Sequence, residues 1–146
     1  FALRSNTTGI GNTANGFFSL YFNNGGYNTA VGNKALYNNT TAGSNVSMGY
    51  QSMYFNATGA NNTAIGTNGL LSNTTGSNNS SLGYYTQSGN FSGSVILGST
   101  AAATANNQFV VGSAVTNAGA TGTATVAQSR YWDVVINGVA ERILLA

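Results

Sequence analysis

Along most of the chain, an apolar residue recurs just ahead of a glycine. The position before that glycine reads Val31, Met48, Ile65, Leu82, Leu97 and Val111, with Asn15 as the polar exception in the first unit. The glycines themselves are Gly16, Gly32, Gly49, Gly66, Gly83, Gly98 and Gly112, in steps of 16, 17, 17, 17, 15 and 14 residues. A period this short and this regular is the mark of a solenoid in which each unit forms one rung. The three residues ahead of each glycine predict a short strand. Side chains alternate faces along a strand, so this reading points Val31, Met48, Ile65 and Leu82 into the rung. It points the middle column, Ala30, Ser47, Ala64 and Ser81, outward, where small side chains admit a close neighbour.

A second segment follows each glycine. Four residues on stand Leu20, Leu36, Met53 and Leu70; five on stand Tyr21, Tyr37, Tyr54 and Leu71. Read as a strand, this segment fills the core with one column and leaves the other in need of cover. Tyr21, Tyr37, Tyr54 and Leu71 are therefore candidates for packing against companion chains, the alternative being that they stack on the sugars of a receptor. Seven residues after the glycine stand Asn23, Asn39, Asn56, Asn73 and Asn90, with Asn6 in the same column, and a second asparagine column runs through Asn12, Asn28, Asn45, Asn62 and Asn79. Asparagine suits turns, and stacked rungs let its amides bond one another along the axis. The glycine column itself reads as a bend that needs positive φ or close backbone approach.

Three regions follow from the pattern. Residues 1–112 form about seven rungs, a section ~35 Å long at the usual strand spacing. Residues 113–129, rich in Ala, Thr, Gly and Ser, read as a linker or crossing segment. In residues 130–146, Asn137-Gly138 between two apolar runs predicts a β-hairpin that caps or joins. A two-residue loop there pairs Ile136 with Val139, sets Asp133 opposite Arg142 and sets Trp132 opposite Ile143, with Trp132 a further packing candidate. Ala2 to Thr8 lines up with Ala35 to Thr41, so the chain opens in mid-rung. That suggests the end of a longer array or a processed piece; a half-rung that serves as a cap is the alternative.

Composition narrows the class. Charged residues make up only 4% of the chain, and the net charge is +2. Four separated cations make no nucleic-acid footprint. Periodic apolar residues argue against disorder. There is no cysteine, histidine or proline, and no apolar run long enough for a membrane-spanning helix.

Asn28-Thr29-Ala30-Val31-Gly32, Asn62-Thr63-Ala64-Ile65-Gly66 and Ser94-Val95-Ile96-Leu97-Gly98 resemble the strand motif of trimeric autotransporter adhesin heads. The Ala-Leu-Tyr-Asn-Asn-Thr-Thr wording around them is similar to repeats of phage tail and head fibres. The resemblance covers roughly residues 6–146. It implies an all-β, left-handed parallel β-roll, often intertwined or packed as a homotrimer, exposed on a virion or outside a cell. Adhesin heads favour shorter rungs, like the two at the end here.

The function expected is therefore structural: a segment of a virion tail or head fibre that mediates assembly and host-surface attachment. A bacterial surface adhesin or a self-assembling extracellular filament is the alternative. A cell-surface glycan or receptor is the expected partner beside the chain's own copies. An enzyme is not expected. Without histidine or cysteine the usual acid–base and thiolate arrangements are missing, and Asp133 and Glu141 are the only carboxylate side chains. No cofactor or metal is expected, since calcium sites want several carboxylates. Asn39, Asn56, Asn73 and Asn90 each begin an Asn-x-Ser/Thr sequon. A line of glycans along one edge is one reading, and chance in Asn- and Thr-rich turns is the other.

Overall fold

The computed structural model describes residues 1–112, together with the backbone of 130–136 and 139–145. The described chain is all-β. Seven three-residue strands, β1 (Thr13–Asn15), β2 (Thr29–Val31), β3 (Val46–Met48), β4 (Thr63–Ile65), β5 (Ser80–Leu82), β6 (Val95–Leu97) and β7 (Phe109–Val111), lie side by side in sequence order. Every neighbouring pair is parallel and in register, with Ala30 beside Ser47 and Ser47 beside Ala64. This is a β-solenoid of about six turns.

The strands face the opposite way to the sequence expectation. The middle column points inward: Ala30, Ser47, Ala64 and Ile96 are fully buried. The column before the glycine points outward, with Met48 41%, Ile65 39% and Leu82 55% exposed, and Val31 half-buried. The reason is the width of the rung. Leu20, Leu36, Met53 and Leu70 enter from the opposite wall and are completely buried. They leave room across the interior only for Ala or Ser. Asn15 therefore marks no irregularity: it pairs in register with Val31 on the outward face, where an amide remains exposed to water.

The second segment is a series of turns rather than a strand. Lys34 and Leu36, Gln51 and Met53, and Asn68 and Leu70 all have positive φ, between 48° and 57°. Axial bonding continues through these turns: the Leu36 N–H donates to Ser52 O at 3.0 Å, and the Met53 N–H to Gly69 O at 2.8 Å. Left-handed backbone costs a branched side chain ~1–2 kcal/mol. Burying a leucine returns ~1.5–3 kcal/mol, so burial holds the strained turn in place. Leu3 takes the same part, with φ 54° and its N–H bonded to Ser19 O, as the alignment of Ala2–Thr8 with Ala35–Thr41 predicted.

Beyond Gly83 the rungs shorten because one of these turns is lost. Thr86 and Ser88 are both buried, and Gln87 between them bridges Ala102 in parallel. The wall facing the strand is now built of Ala101 and Ala103, and the strand supplies the bulk instead, through Ile96 and the partly buried Val110. Volume moves from one wall to the other and the narrow interior stays filled.

The corner glycines show why their period is so strict. A Cβ on Gly66 (φ 134°) would overlap the carbonyl oxygen of Gly83 one rung on, and the same holds from Gly16 to Gly83, each against the next glycine. Residues 130–136 and 139–145 form strands β8 and β9, paired antiparallel with Asp133 beside Arg142, Trp132 beside Ile143 and Ile136 beside Val139. That is the register expected of the hairpin. The 113–129 linker, the Asn137-Gly138 turn, and the side chains and docking of the hairpin lie outside the described residues.

Three substitutions test this account by chemical denaturation. Gly66→Ala adds a backbone clash to dihedral strain and is expected to cost upward of ~4 kcal/mol. Gly112→Ala, where φ is 115° but nothing lies near the added methyl, should cost only ~1–3 kcal/mol. Ser44 sits at φ 59° in the column where Asn61, Asn78 and Asn107 adopt φ of 57–59°. Ser44→Asn should stabilise the chain by ~0.5–1 kcal/mol, because asparagine tolerates this conformation better.

Candidate interaction faces

Each rung presents three chemically distinct regions. Asparagine ladders form the first, and they are internal. Asn23, Asn28, Asn39, Asn45, Asn56, Asn62, Asn73 and Asn79 are fully buried. In the first ladder, Asn39 Nδ2 donates to Asn23 Oδ1 (2.6 Å), Asn56 Nδ2 to Asn39 Oδ1 (3.1 Å) and Asn73 Nδ2 to Asn56 Oδ1 (2.8 Å). Each Nδ2 also donates to a carbonyl of its own loop: Asn39 to Ala42, Asn56 to Gly59 and Asn73 to Gly76. In the second ladder the Oδ1 atoms of Asn28, Asn45 and Asn62 accept from the backbone N–H of Asn45, Asn62 and Asn79. These buried amides therefore meet their hydrogen-bonding requirement by axial repetition.

The ladders decide the sequons. Both Nδ2 hydrogens of Asn39, Asn56 and Asn73 are in use inside the rung, so a glycan on any of them is incompatible with the folded chain. This corrects the reading of a glycan line along one edge. Asn90 does not belong to the ladder. In the shortened rung Ser88 takes the ladder position and donates from Oγ to Asn73 Oδ1 at 2.9 Å. Asn90 lies on the exposed turn, where its Oδ1 accepts from the N–H and hydroxyl of Thr74.

The sheet's outward face is the second region. Val31, Met48, Ile65, Leu82, Leu97 and Val111 form a continuous aliphatic column over six rungs, flanked by Thr29, Val46, Thr63, Ser80, Val95 and Phe109. A parallel sheet is normally covered on both faces. A regular apolar stripe of this length on one chain has the character of an interaction surface.

The third region lies between the corner glycine and the asparagine ladder. Tyr21, Tyr37 and Tyr54 stack on one another with ring centroids 5.2 and 5.0 Å apart and planes within 8°. One chain thus already covers much of this column, with Leu71 half-buried in the next rung. Phe18 and Phe22 pack edge-on against Tyr21 and Tyr37, and Phe55 against Tyr54. Arg4 bonds the Tyr21 hydroxyl and lies 5.6 Å from the ring centroid. Phe17, Phe22, Tyr50, Phe55 and Tyr84 remain exposed. Reading columns alone missed these rings, because they skip every second rung; comparing rungs two apart reveals them.

No protein-family model, curated protein or solved structure matches this chain. Its functional reading rests on its own geometry. Among the described residues there is no group of three or more His, Cys, Asp or Glu that could hold a metal, and no helix long and apolar enough to cross a membrane. Asp133 and Glu141 stand on β8 and β9, opposite Arg142 and Val134.

Asn56→Ala should cost ~3–6 kcal/mol by denaturation, since it removes a hydrogen-bond partner from each of Asn73 Nδ2, Asn39 Oδ1 and Gly59 O in a buried interior. Asn24→Ala, at an exposed turn where Oδ1 accepts from Thr7, should cost under ~1 kcal/mol. Equal costs would remove the ladder from its central place.

Proposed function

We propose that this chain is a structural fibre segment, the shaft of a virion tail or head fibre, and that it works in assembly and host-surface attachment. The observation that carries the reading is the outward aliphatic column from Val31 to Val111 on an in-register parallel sheet. A stripe that repeats once per rung is best matched by a surface of the same periodicity, which a second and third copy of the chain supply. Three solenoids with these columns turned toward a common axis bury them all and leave the aromatic sides outward. A homotrimer is the closed arrangement we favour, with a longer filament as the alternative. The scarcity of charge supports a role in mechanical assembly rather than nucleic-acid binding. Fibre-borne attachment places the protein on a virion or at a cell exterior.

A bacterial surface adhesin or extracellular filament subunit is the second reading. The shortening of the rungs to 15 and 14 residues beyond Gly83 favours it. Both readings share the same assembly and differ in what carries the fibre.

Sedimentation and negative-stain microscopy of the full chain are expected to show elongated trimers or filaments. Ile65→Glu combined with Leu82→Glu should release monomers that keep the β-type circular dichroism of the parent, because both side chains lie outside the core. A parent protein that sediments as a compact monomer at high concentration would sink the assembly.

A further inference from the structure

Two columns of exposed aromatic residues follow a two-rung beat, while Phe1, Tyr27, Tyr85 and Phe109 are exposed outside them. The position after each corner glycine reads Phe17, Asn33, Tyr50, Thr67, Tyr84 and Ser99: aromatic, polar, aromatic, polar, aromatic, polar. Six residues after the glycine the order is Phe22, Asn38, Phe55 and Ser72, in phase with the first column until the shortened rung, where Gly89 ends it. The interior keeps the same time. Ser19, Ala35, Ser52, Gly69, Thr86 and Ala101 alternate a hydroxyl with none, and on the aromatic rungs the Ser19 and Ser52 hydroxyls are hydrogen-bonded to backbone carbonyls and the Thr86 hydroxyl to Ser81.

Packing does not force this alternation. The Tyr21, Tyr37 and Tyr54 rings occupy every rung of the same side and stack without difficulty. Rings two rungs apart are separated by ~10 Å along the axis, twice the spacing of neighbouring strands. They stay exposed, with exposed Asn33, Thr67 and Ser72 on the intervening rungs. Arg4 and Lys34 are the only charged side chains among residues 1–112.

A ligand complementary to this face is straight and neutral, offers a flat apolar surface every ~10 Å, and carries hydroxyls between. An extended β-1,4-linked glycan has these properties. Its successive pyranose rings are turned over, so every second sugar presents the same C–H face, and two sugars span the distance between aromatic rungs. An α-linked glycan coils and loses the match. Nucleic acid is the wrong partner for a side with so few cations. We propose that the side of the solenoid bearing Phe17, Tyr50 and Tyr84, with Phe22 and Phe55, is a binding track for an extended, neutral β-1,4-linked glycan. The inference names the ligand class for the attachment role above, but requires only a single folded chain.

Calorimetric titration of the full chain with cello-oligosaccharides of increasing length, and with maltohexaose as the α-linked control, tests it. Affinity should rise in steps of two sugars, and maltohexaose should not bind. Tyr50→Ala and Phe55→Ala should each weaken cellohexaose binding about tenfold, the worth of one stacking platform. Tyr50→Phe should bind as the parent does, as should Thr67→Ala on a polar rung. Equal binding of both glycans, or binding of neither, overturns the proposal. So does a loss of parental oligomer mass in Tyr50→Ala, which makes the face a contact between copies. Oligomer mass measured without glycan keeps the two readings apart: a monomer that binds cellohexaose sinks only the assembly, and a fibre that ignores it sinks only the track.

Discussion

Axial register is the constraint on which this structure depends. Each rung is held to the next by parallel strand bonds, by the turn amides around Leu36 and Met53, and by the asparagine ladders. None of these can shift by one residue alone. A slip would turn Ala64 outward and push Ile65 into a space that Leu70 already fills. It would also leave buried amides without partners, where each orphan costs a sizeable part of the stability of a domain. The corner glycines enforce the same register sterically, since the backbone of one rung lies where the Cβ of the last would be.

The interior is correspondingly thin. A globular core mixes many contacts, whereas here one large apolar residue faces one small one and the amides fill the remainder. Such a core cannot absorb bulk at both walls. The transfer of volume from Leu70 to Ile96 across the shortened rungs shows the rule at work: when the turn that carries the leucine disappears, the strand takes over the filling. Strained left-handed residues survive in this setting because every rung repeats the arrangement that holds its neighbour.

A thin core also pushes apolar character to the outside. The sheet's outward face is aliphatic and repeats once per rung, the feature on which the proposed assembly rests. The opposite side is aromatic and polar by turns, suited to a ligand with faces of its own. These two chemistries sit on different sides of one rung, so the proposed assembly and the proposed attachment would not compete for surface.

Much of this was legible in the residues. The period, the strand positions and the two asparagine columns could be read directly, because each depends on like residues meeting at fixed spacing; the Asp133–Arg142 register of the hairpin could be read too, because the length of the loop fixes it. The direction of the strand faces could not. Alternation is symmetric under exchange of inside and outside, and both candidate columns contained apolar residues. What broke the symmetry was the path of the second segment, where Leu36 and Leu70 adopt φ of 51° and 48° and swing inward. No local preference of leucine predicts that conformation. Burial of the sequons followed from the same turn, which brings Asn39, Asn56 and Asn73 inside with the leucines. The residues by themselves determined that the chain stacks, and where. Only the tertiary structure decided which edge is hidden, because that is set by the space left between two walls, and no single wall contains that information.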